Sequence, residues 1–485
     1  MQLAKVLAGL PVIGDYPHDL EISSVELNSA KLQAGALFIA INGKNADGRQ
    51  YIPDALQKGA TAVVFAGDYT PPAGSKAVFV RLEGDMRCHA AAIAANFYPV
   101  QPRYVSAVTG TNGKTSIADF TRQIMTFLGH KSASIGTIGL ICEGFDKVET
   151  LTTPDTVTLH RMLSDLAARG VEYVSMEASS IGIEQYRLDG LQIQVAGFTN
   201  LTQDHLDYHL TMQNYLQAKE QLFSRVVMAN GAAVLNADIA EYAQLAAVCA
   251  ERGLRVISYG RNGADLHLSG RDVHATGQTL HLQLFGRNYA VELPLIGEFQ
   301  AMNVLCAMGM VAAMVGFDEK ILSYIPQIKG APGRLDLAGK LANGAAVYVD
   351  YAHTPDALEN VLKTARAHTR GKLWVVFGCG GDRDKLKRPI MGKIAADLAD
   401  EVIVTDDNPR TENPDVIRSE ILVACQKAHN IGDRISAIKT AISGLQAGDV
   451  LILAGKGHES GQKIGDKIIP MNDIDEARKA IAELK

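Results

Sequence analysis

Residues 106–116 read SAVTGTNGKTS, and the run ends in Gly-Lys-Thr as a phosphate-binding loop does. Main-chain N–H groups at a helix start point at an anion there. The lysine reaches terminal phosphates and the hydroxyl can hold Mg²⁺. The common spacing places a glycine five residues before the Gly-Lys pair. Val108 stands at that position, and the first glycine of the run is Gly110, two residues too close. Gly110, Thr111, Asn112, Gly113, Lys114, Thr115 and Ser116 are the candidate cradle. The competing reading is a glycine-rich strand-to-helix turn with no ligand.

Further along, VEYVSMEASS reads as a strand ending in Glu177, and a carboxylate at such an end can hold Mg²⁺ directly or through water. A solvated glutamate is the alternative. TNLTQDHLDYH packs Asp204, His205, Asp207 and His209 into a loop after the apolar QVAGF. NYLQAKEQLF reads as an amphipathic helix, on which spacing alone makes Lys219 a solvated residue.

Elements must position these groups. The alternating RYVSAV before the loop predicts a strand. Ile117, Phe120, Ile124 and Phe127 after it fall at helical spacing, with a stop at Gly129. The 485 residues exceed one core, and three α/β blocks separate: 1–88, 89–332 and 333–485, with KGAPGRLD as a linker. The middle block predicts a parallel sheet covered by helices. In the last, AAVYVDYAHTPD, KLWVVFGCGGDRD, DEVIVTDDNPR and DVLILAGKGHE are buried-looking strands, each followed by glycine or charge. Ligands of doubly wound sheets sit beyond such strand ends.

Composition narrows the class. A net charge of -6 implies no bulk attraction to nucleic acid. Six scattered cysteines without a C-x-x-C fit reduced thiols rather than a disulfide frame or zinc site. The N-terminal run is a poor signal peptide, and no stretch of 18 apolar residues appears. A cytoplasmic monomer acting on small molecules, without membrane or nucleic-acid partners, is expected.

Taken together, GTNGKTS, MEASS, TNLTQDHLDYH, YLQAKEQLF, GEFQAMN, GRLD and DYAHTPD resemble the Mur ligase family across essentially the whole chain. Its members are ADP-forming amide ligases of peptidoglycan synthesis, and the shortened loop is the family's form of the cradle. The resemblance implies three domains: a small α/β domain for a UDP substrate, a central P-loop ATPase domain and a Rossmann-like C-terminal domain. It implies ATP and Mg²⁺. Thr115, Glu177, His205 and a carbamylated Lys219 would serve the metal. Lys114, Glu177, His205 and Lys219 would be the catalytic set. Asn303 would contact adenine, and Arg334 and Asp350 would also serve the nucleotide.

The run DDNPRTEN is similar to the signature of those family members that add meso-2,6-diaminopimelate to UDP-N-acetylmuramoyl-L-alanyl-D-glutamate. A guanidinium can bind the distal carboxylate of diaminopimelate through two parallel hydrogen bonds. Arg410 would be that clamp, with Arg383, Asp407, Asn408, Pro409, Gly455 and Glu459 around it. Leu27, Ser29, Lys44, Asn45 and Ala46 would bind the uridine end. Thr152, Thr153, Ser179, Gln185 and Arg187 would take the diphosphate and muramoyl peptide. Asn28 and Ala30 flank Ser29 where the family often has Asp and Arg, Leu151 stands where Asn is usual, and Ile181 where His is common. The alternatives are a lysine-adding relative, a folylpolyglutamate synthase-like ligase and a non-catalytic nucleotide sensor. The first would lack the Arg410 clamp, the second the uridine-nucleotide domain, and the third would have lost Lys114 or Lys219.

Overall fold

The computed structural model describes every residue except 44–46, 146, 147, 149, 275 and 485. The chain forms two compact units, Met1–Leu266 with Leu305–Asp318, and His267–Val304 with Glu319–Lys485.

The first unit holds two sheets. One has the strand order Val12–Ile13, Val78–Leu82, Ala62–Ala66, Leu37–Ala40, Val25–Glu26. Its pairs are parallel apart from the edge strand Val12–Ile13. Ala62–Ala66 is buried on both faces, as a strand covered on both sides must be. Helix Met86–Phe97 is capped by Asp85 and buries Met86, Ala90, Ile93 and Ala94 in the core of this sheet, beside Leu3, Ile39 and Val64. The expected block limit at residue 88 thus falls inside that helix.

The other sheet of this unit runs Arg255–Gly260, Ala232–Asn236, Ile193–Phe198, Tyr104–Thr109, Tyr173–Glu177, Ser132–Gly136, Gly139–Cys142. Tyr104–Thr109 is central and lies parallel to both neighbours, with Val108 opposite Glu177 and Thr109 opposite Phe198. Parallel register makes the carboxyl ends of the three strands finish at one edge. The segments that follow them therefore converge there.

In the second unit Gly277–Leu284 and Arg287–Leu293 are neighbouring strands beside Leu266–His274, which belongs to this unit from His267 on. Its larger sheet has the order Asp336–Lys340, Ala346–Asp350, Val450–Ala454, Leu373–Phe377, Glu401–Val404, His429–Asn430. All of its pairs are parallel except the first. Val450–Ala454 is wholly buried, and helices Pro355–His368, Lys387–Leu398 and Arg434–Gly444 pack around the sheet. Among the described residues, Glu298–Val315 is the one helix long and apolar enough to cross a membrane. Ala301, Val304, Leu305 and Met308 along it have no exposure, as in a core helix.

Candidate active site

The short loop folds as the sequence predicts. Strand Tyr104–Thr109 turns through Gly110 and Gly113, both left-handed, into helix Lys114–Phe127, which begins three residues before Ile117, the first of the residues at helical spacing. At Gly110 a Cβ would sit 1.8 Å from the Thr199 hydroxyl, so only glycine lets the loop close against the neighbouring strand end. The loop is held from that side. Asn200 accepts from the Asn112 N–H through its side chain (2.9 Å) and from the Thr111 N–H through its carbonyl (2.9 Å). The Thr199 hydroxyl donates to the Asn112 carbonyl at 2.6 Å. Ser116, the third residue of the helix, is buried.

Three charged groups converge on the loop. Lys114 Nζ donates to the carbonyls of Gly110 (3.0 Å) and Thr111 (2.7 Å). Lys219 Nζ donates to the same Gly110 carbonyl at 2.7 Å and lies 4.3 Å from the Tyr215 ring centroid. The Thr115 hydroxyl donates to Glu177 Oε1 at 2.9 Å. The solvated-face expectation for Lys219 is overturned, because the side chain is 1 % exposed. Helix Met212–Gln221 turns that face inward, against the loop rather than to water. Burial, with the Lys114 charge beside it, pushes the Lys219 ammonium well below the ordinary lysine value, toward the neutral amine.

His205 is placed differently. It is half-exposed, has a left-handed backbone, and its Nε2 stands 3.5 Å from Asp204 Oδ2. The segment expected as a loop contains a short helix, Leu206–His209, so His209 points inward and its Nε2 meets the Ser180 hydroxyl at 2.9 Å. Among the described residues no cluster of three or more His, Cys, Asp or Glu could hold a metal. The Thr115 hydroxyl and Glu177 carboxylate are nevertheless the hard oxygen donors that Mg²⁺ takes when phosphate and water supply the rest.

Thr137 is a residue that sequence reasoning missed. Its N–H donates to Glu177 Oε1 at 2.7 Å, and its hydroxyl lies 3.3 Å from Glu177 Oε2 and 3.1 Å from the Thr152 hydroxyl. It follows the buried strand Ser132–Gly136 directly, so the rule of polar residues at strand ends was a usable signal. Beyond it the expected substrate segment is knitted together. Thr153 donates to the Glu177 carbonyl (2.9 Å) and accepts from the Ser179 N–H (2.9 Å). Ser179 caps helix Ser180–Glu184. Arg187 reaches the Thr153 carbonyl (2.8 Å) and Gln185 Oε1 (2.7 Å). A cavity of about 760 Å³ lies alongside, lined among others by Lys31, Thr150, Leu151, Asp155 and Arg161. Ser29 is buried and Leu27 half-buried in the neighbouring sheet, where the Asn28 side chain caps a short turn by accepting from the Ala30 N–H. Lys44, Asn45 and Ala46 lie outside the described residues.

Asn303, Arg334 and Asp350 belong to the second unit. Asn303 is buried and donates to Gln300 at 3.1 Å. The Arg334 guanidinium lies 5.4 Å from the Tyr351 ring centroid. Asp350 ends its strand and accepts from the N–H groups of Leu335 and Ala352, each at 2.8 Å. Burial nonetheless raises its carboxyl above the ordinary value.

At the carboxyl ends of the large sheet of the second unit a cavity of about 500 Å³ is lined by Arg383, Asp407, Asn408, Arg410, Gly455 and Glu459, among others. Arg410 has a left-handed backbone (φ 52°) and donates Nη1 to the Gly381 carbonyl at 2.6 Å. Pro409 precedes it and sits so near Gly381 that a Cβ there would meet its carbonyl at 2.0 Å. Asn408 Nδ2 donates to Glu459 Oε2 at 2.9 Å. Sequence reasoning also missed the fully buried Arg388, which holds Glu412 at 2.9 Å. Glu412 in turn accepts from the Asp382 N–H at 2.6 Å, tying the two loops together.

Three family models match in chain order: the Mur ligase family catalytic domain over 21–98, the Mur ligase middle domain over 108–311 and the Mur ligase glutamate ligase domain over 333–457. The UDP-N-acetylmuramoyl-L-alanyl-D-glutamate–2,6-diaminopimelate ligase of Mesorhizobium japonicum is 47% identical over 483 residues, covering 100% of this chain and 99% of the relative. That of Bradyrhizobium diazoefficiens is 46% identical, covering 99% of each. A solved structure of a ligase of the same name superposes with a TM-score of 0.76 at 33% identity, covering 100% of this chain and 99% of the other. With end-to-end relatives and a strand-loop-helix cradle of the expected short form, the chain belongs to the Mur ligase family.

Proposed function

We infer that the protein is an ATP-dependent, ADP-forming ligase that adds meso-2,6-diaminopimelate to UDP-N-acetylmuramoyl-L-alanyl-D-glutamate, making the UDP-muramoyl-tripeptide of peptidoglycan. One observation carries the choice of amine. Arg410, Arg383, Asn408 and Glu459 line a single cavity, so groups for a carboxylate and for an ammonium stand together at the strand ends. A distal amino-acid head presents both charges.

A carboxylate is a poor electrophile, so it must be activated. The γ-phosphoryl of ATP passes to the D-glutamate carboxylate, giving an acyl phosphate and ADP. The diaminopimelate amine attacks that carbonyl, and phosphate leaves from the tetrahedral intermediate. Phosphoryl transfer of this kind is mostly positioning and charge neutralisation. The loop N–H groups orient the phosphates, and Lys114 exchanges its loop carbonyls for them. Glu177 and the Thr115 hydroxyl, with Lys219 as a carbamate and His205, would hold Mg²⁺, which supplies charge neutralisation when bound. The neutral tendency of the Lys219 amine supports carbamate formation, because only the unprotonated amine adds CO₂. Asn303, Arg334 and Asp350 are proposed to serve the nucleotide.

The uridine end is assigned to Leu27 and Ser29, and the diphosphate and peptide to Thr152, Thr153, Ser179, Gln185 and Arg187. The regions on either side of residues 88 and 332 would thereby divide uridine binding, ATP chemistry and amine selection. A cytoplasmic monomer is proposed. The test is phosphate release from ATP with the UDP-dipeptide, comparing diaminopimelate, lysine and no amine. Release that requires diaminopimelate is expected. Equal release with lysine would overturn the choice of amine.

A further inference from the structure

Among the described residues, Lys456 is the one fully buried lysine beside the 500 Å³ cavity of the second unit, and it does not line it. It follows strand Val450–Ala454 and sits behind two residues that do line the cavity. Its Nζ donates to Asn408 Oδ1 at 3.1 Å and to Glu459 Oε2 at 2.9 Å. Asn408 Nδ2 donates to the same Glu459 oxygen at 2.9 Å, closing a three-membered ring of side chains. The main-chain N–H of Lys463 also donates to Asn408 Oδ1, at 2.8 Å. Two donors therefore converge on one end of the Asn408 amide. That end must be the oxygen, and the amide nitrogen is turned to Glu459.

Burying an ammonium is costly unless it is paired and hydrogen-bonded. Here the pairing is spent on the two residues that face the ligand space. The turn itself is closed independently, by the Glu459 N–H donating to the Lys456 carbonyl at 3.0 Å and by the left-handed Gly457. An apolar side chain of the same length would close that turn equally well, so a charge is placed there for another reason.

We propose that Lys456 is a positioning residue that fixes Glu459, directly and through Asn408, for the distal ammonium of the amino-acid substrate. It also keeps Glu459 ionised. Burial pushes that carboxyl up, and the hydrogen bonds from Asn408 and Lys456 outweigh burial and hold it below its ordinary value. Arg410 then reads the distal carboxylate, while the Lys456 ring reads the distal ammonium. This rests on diaminopimelate being the amine.

The experiment uses the full-length enzyme with saturating ATP and UDP-dipeptide. Two amines are compared: diaminopimelate, and 2-aminopimelate, which keeps the distal carboxylate but lacks the distal ammonium. Lys456→Met should raise KM for diaminopimelate by about tenfold or more, as loss of one member of a buried charge pair does. The 2-aminopimelate constants and the kcat values should stay within about twofold to threefold, below the tenfold that about 1.4 kcal/mol represents. In a Glu459→Gln background Lys456→Met should add little to the ratio between the amines. Lys456→Gln, which keeps a donor for Asn408 without the charge, should fall between wild type and Met, and it replaces Met if that variant does not fold. Equal KM increases for both amines, or additive effects in the double variant, would overturn the inference. A wild-type enzyme that ignores diaminopimelate would instead refute the substrate reading itself.

Discussion

Replacing Arg410 by alanine isolates the reading of the distal carboxylate. The backbone there is left-handed in wild type, and alanine meets much the same resistance to that conformation as arginine. Its N–H still donates to the Lys463 carbonyl (3.0 Å), and its carbonyl still accepts from the Gly465 N–H (2.7 Å). Among the described residues, the one side-chain bond lost is that to the Gly381 carbonyl. The loop also remains tied by Glu412 to Arg388 and to the Asp382 N–H. The variant should therefore melt within a few degrees of wild type. Losing one member of a buried charge pair costs about 2–5 kcal/mol. Arg410 is only half-buried at a cavity wall, so solvent screening puts the cost at the low end. About 2 kcal/mol corresponds to roughly 30-fold in kcat/KM for diaminopimelate. Lysine has no distal carboxylate, so its rate should stay flat or rise, and UDP-substrate binding should not change. Arg410→Lys keeps the charge without the two-pronged geometry and should fall between. The assay is phosphate release at saturating ATP and UDP-dipeptide with each amine varied. If Arg410→Ala slows both amines equally, the residue shapes the loop, and the carboxylate reading is refuted.

Other consequences are equally specific. Lys219→Ala should reduce turnover on the order of a hundredfold, the scale of removing a preorganised group at a charge-developing site. Wild-type enzyme equilibrated with ¹³C-bicarbonate should show a carbamate ¹³C resonance that the variant lacks; its absence from wild type would refute the carbamate. Gly110→Ala drives a Cβ to 1.8 Å from the Thr199 hydroxyl, so ATP affinity measured by calorimetry should fall by about tenfold or more. Undiminished affinity would show that the loop does not carry the nucleotide. Asp473 and Arg434 pair at 2.6 Å with no exposure of either, so Asp473→Asn should cost about 3–5 kcal/mol and lower Tm by roughly 10 °C. An unchanged Tm would contradict a buried, uncompensated charge. His160 is pushed down to about 4 by burial, which its hydrogen bond to the Asp189 carbonyl only partly offsets. The unfolded chain then binds the extra proton between about pH 6.5 and 4, so stability is complete above that window and falls as pH drops through it. A His160→Gln variant should lose less Tm than wild type between pH 7 and 5, and an identical slope would refute the assignment.

What the sequence determined by itself is local. A glycine needed for a left-handed turn, a lysine and threonine at a helix start, and apolar runs long enough for buried strands are each legible within about ten residues, because backbone sterics and periodicity act at that range. Hence the loop at 110–116, the strand ending at Glu177 and the strand ends of the last block were readable. The quoted motifs, as a set, carried the family. Only the tertiary structure decided what depends on residues far apart in the chain. Lys219 looks solvated by spacing and is buried, because its helix packs on a loop more than a hundred residues earlier and meets the Gly110 carbonyl. Thr137 lacks a motif of its own and matters because parallel register sets its strand beside the one ending at Glu177. Lys456 reads as a charge in a glycine-rich turn until strand order brings that turn against Asn408. Burial and partner choice are properties of the packed arrangement, and no window of sequence contains them.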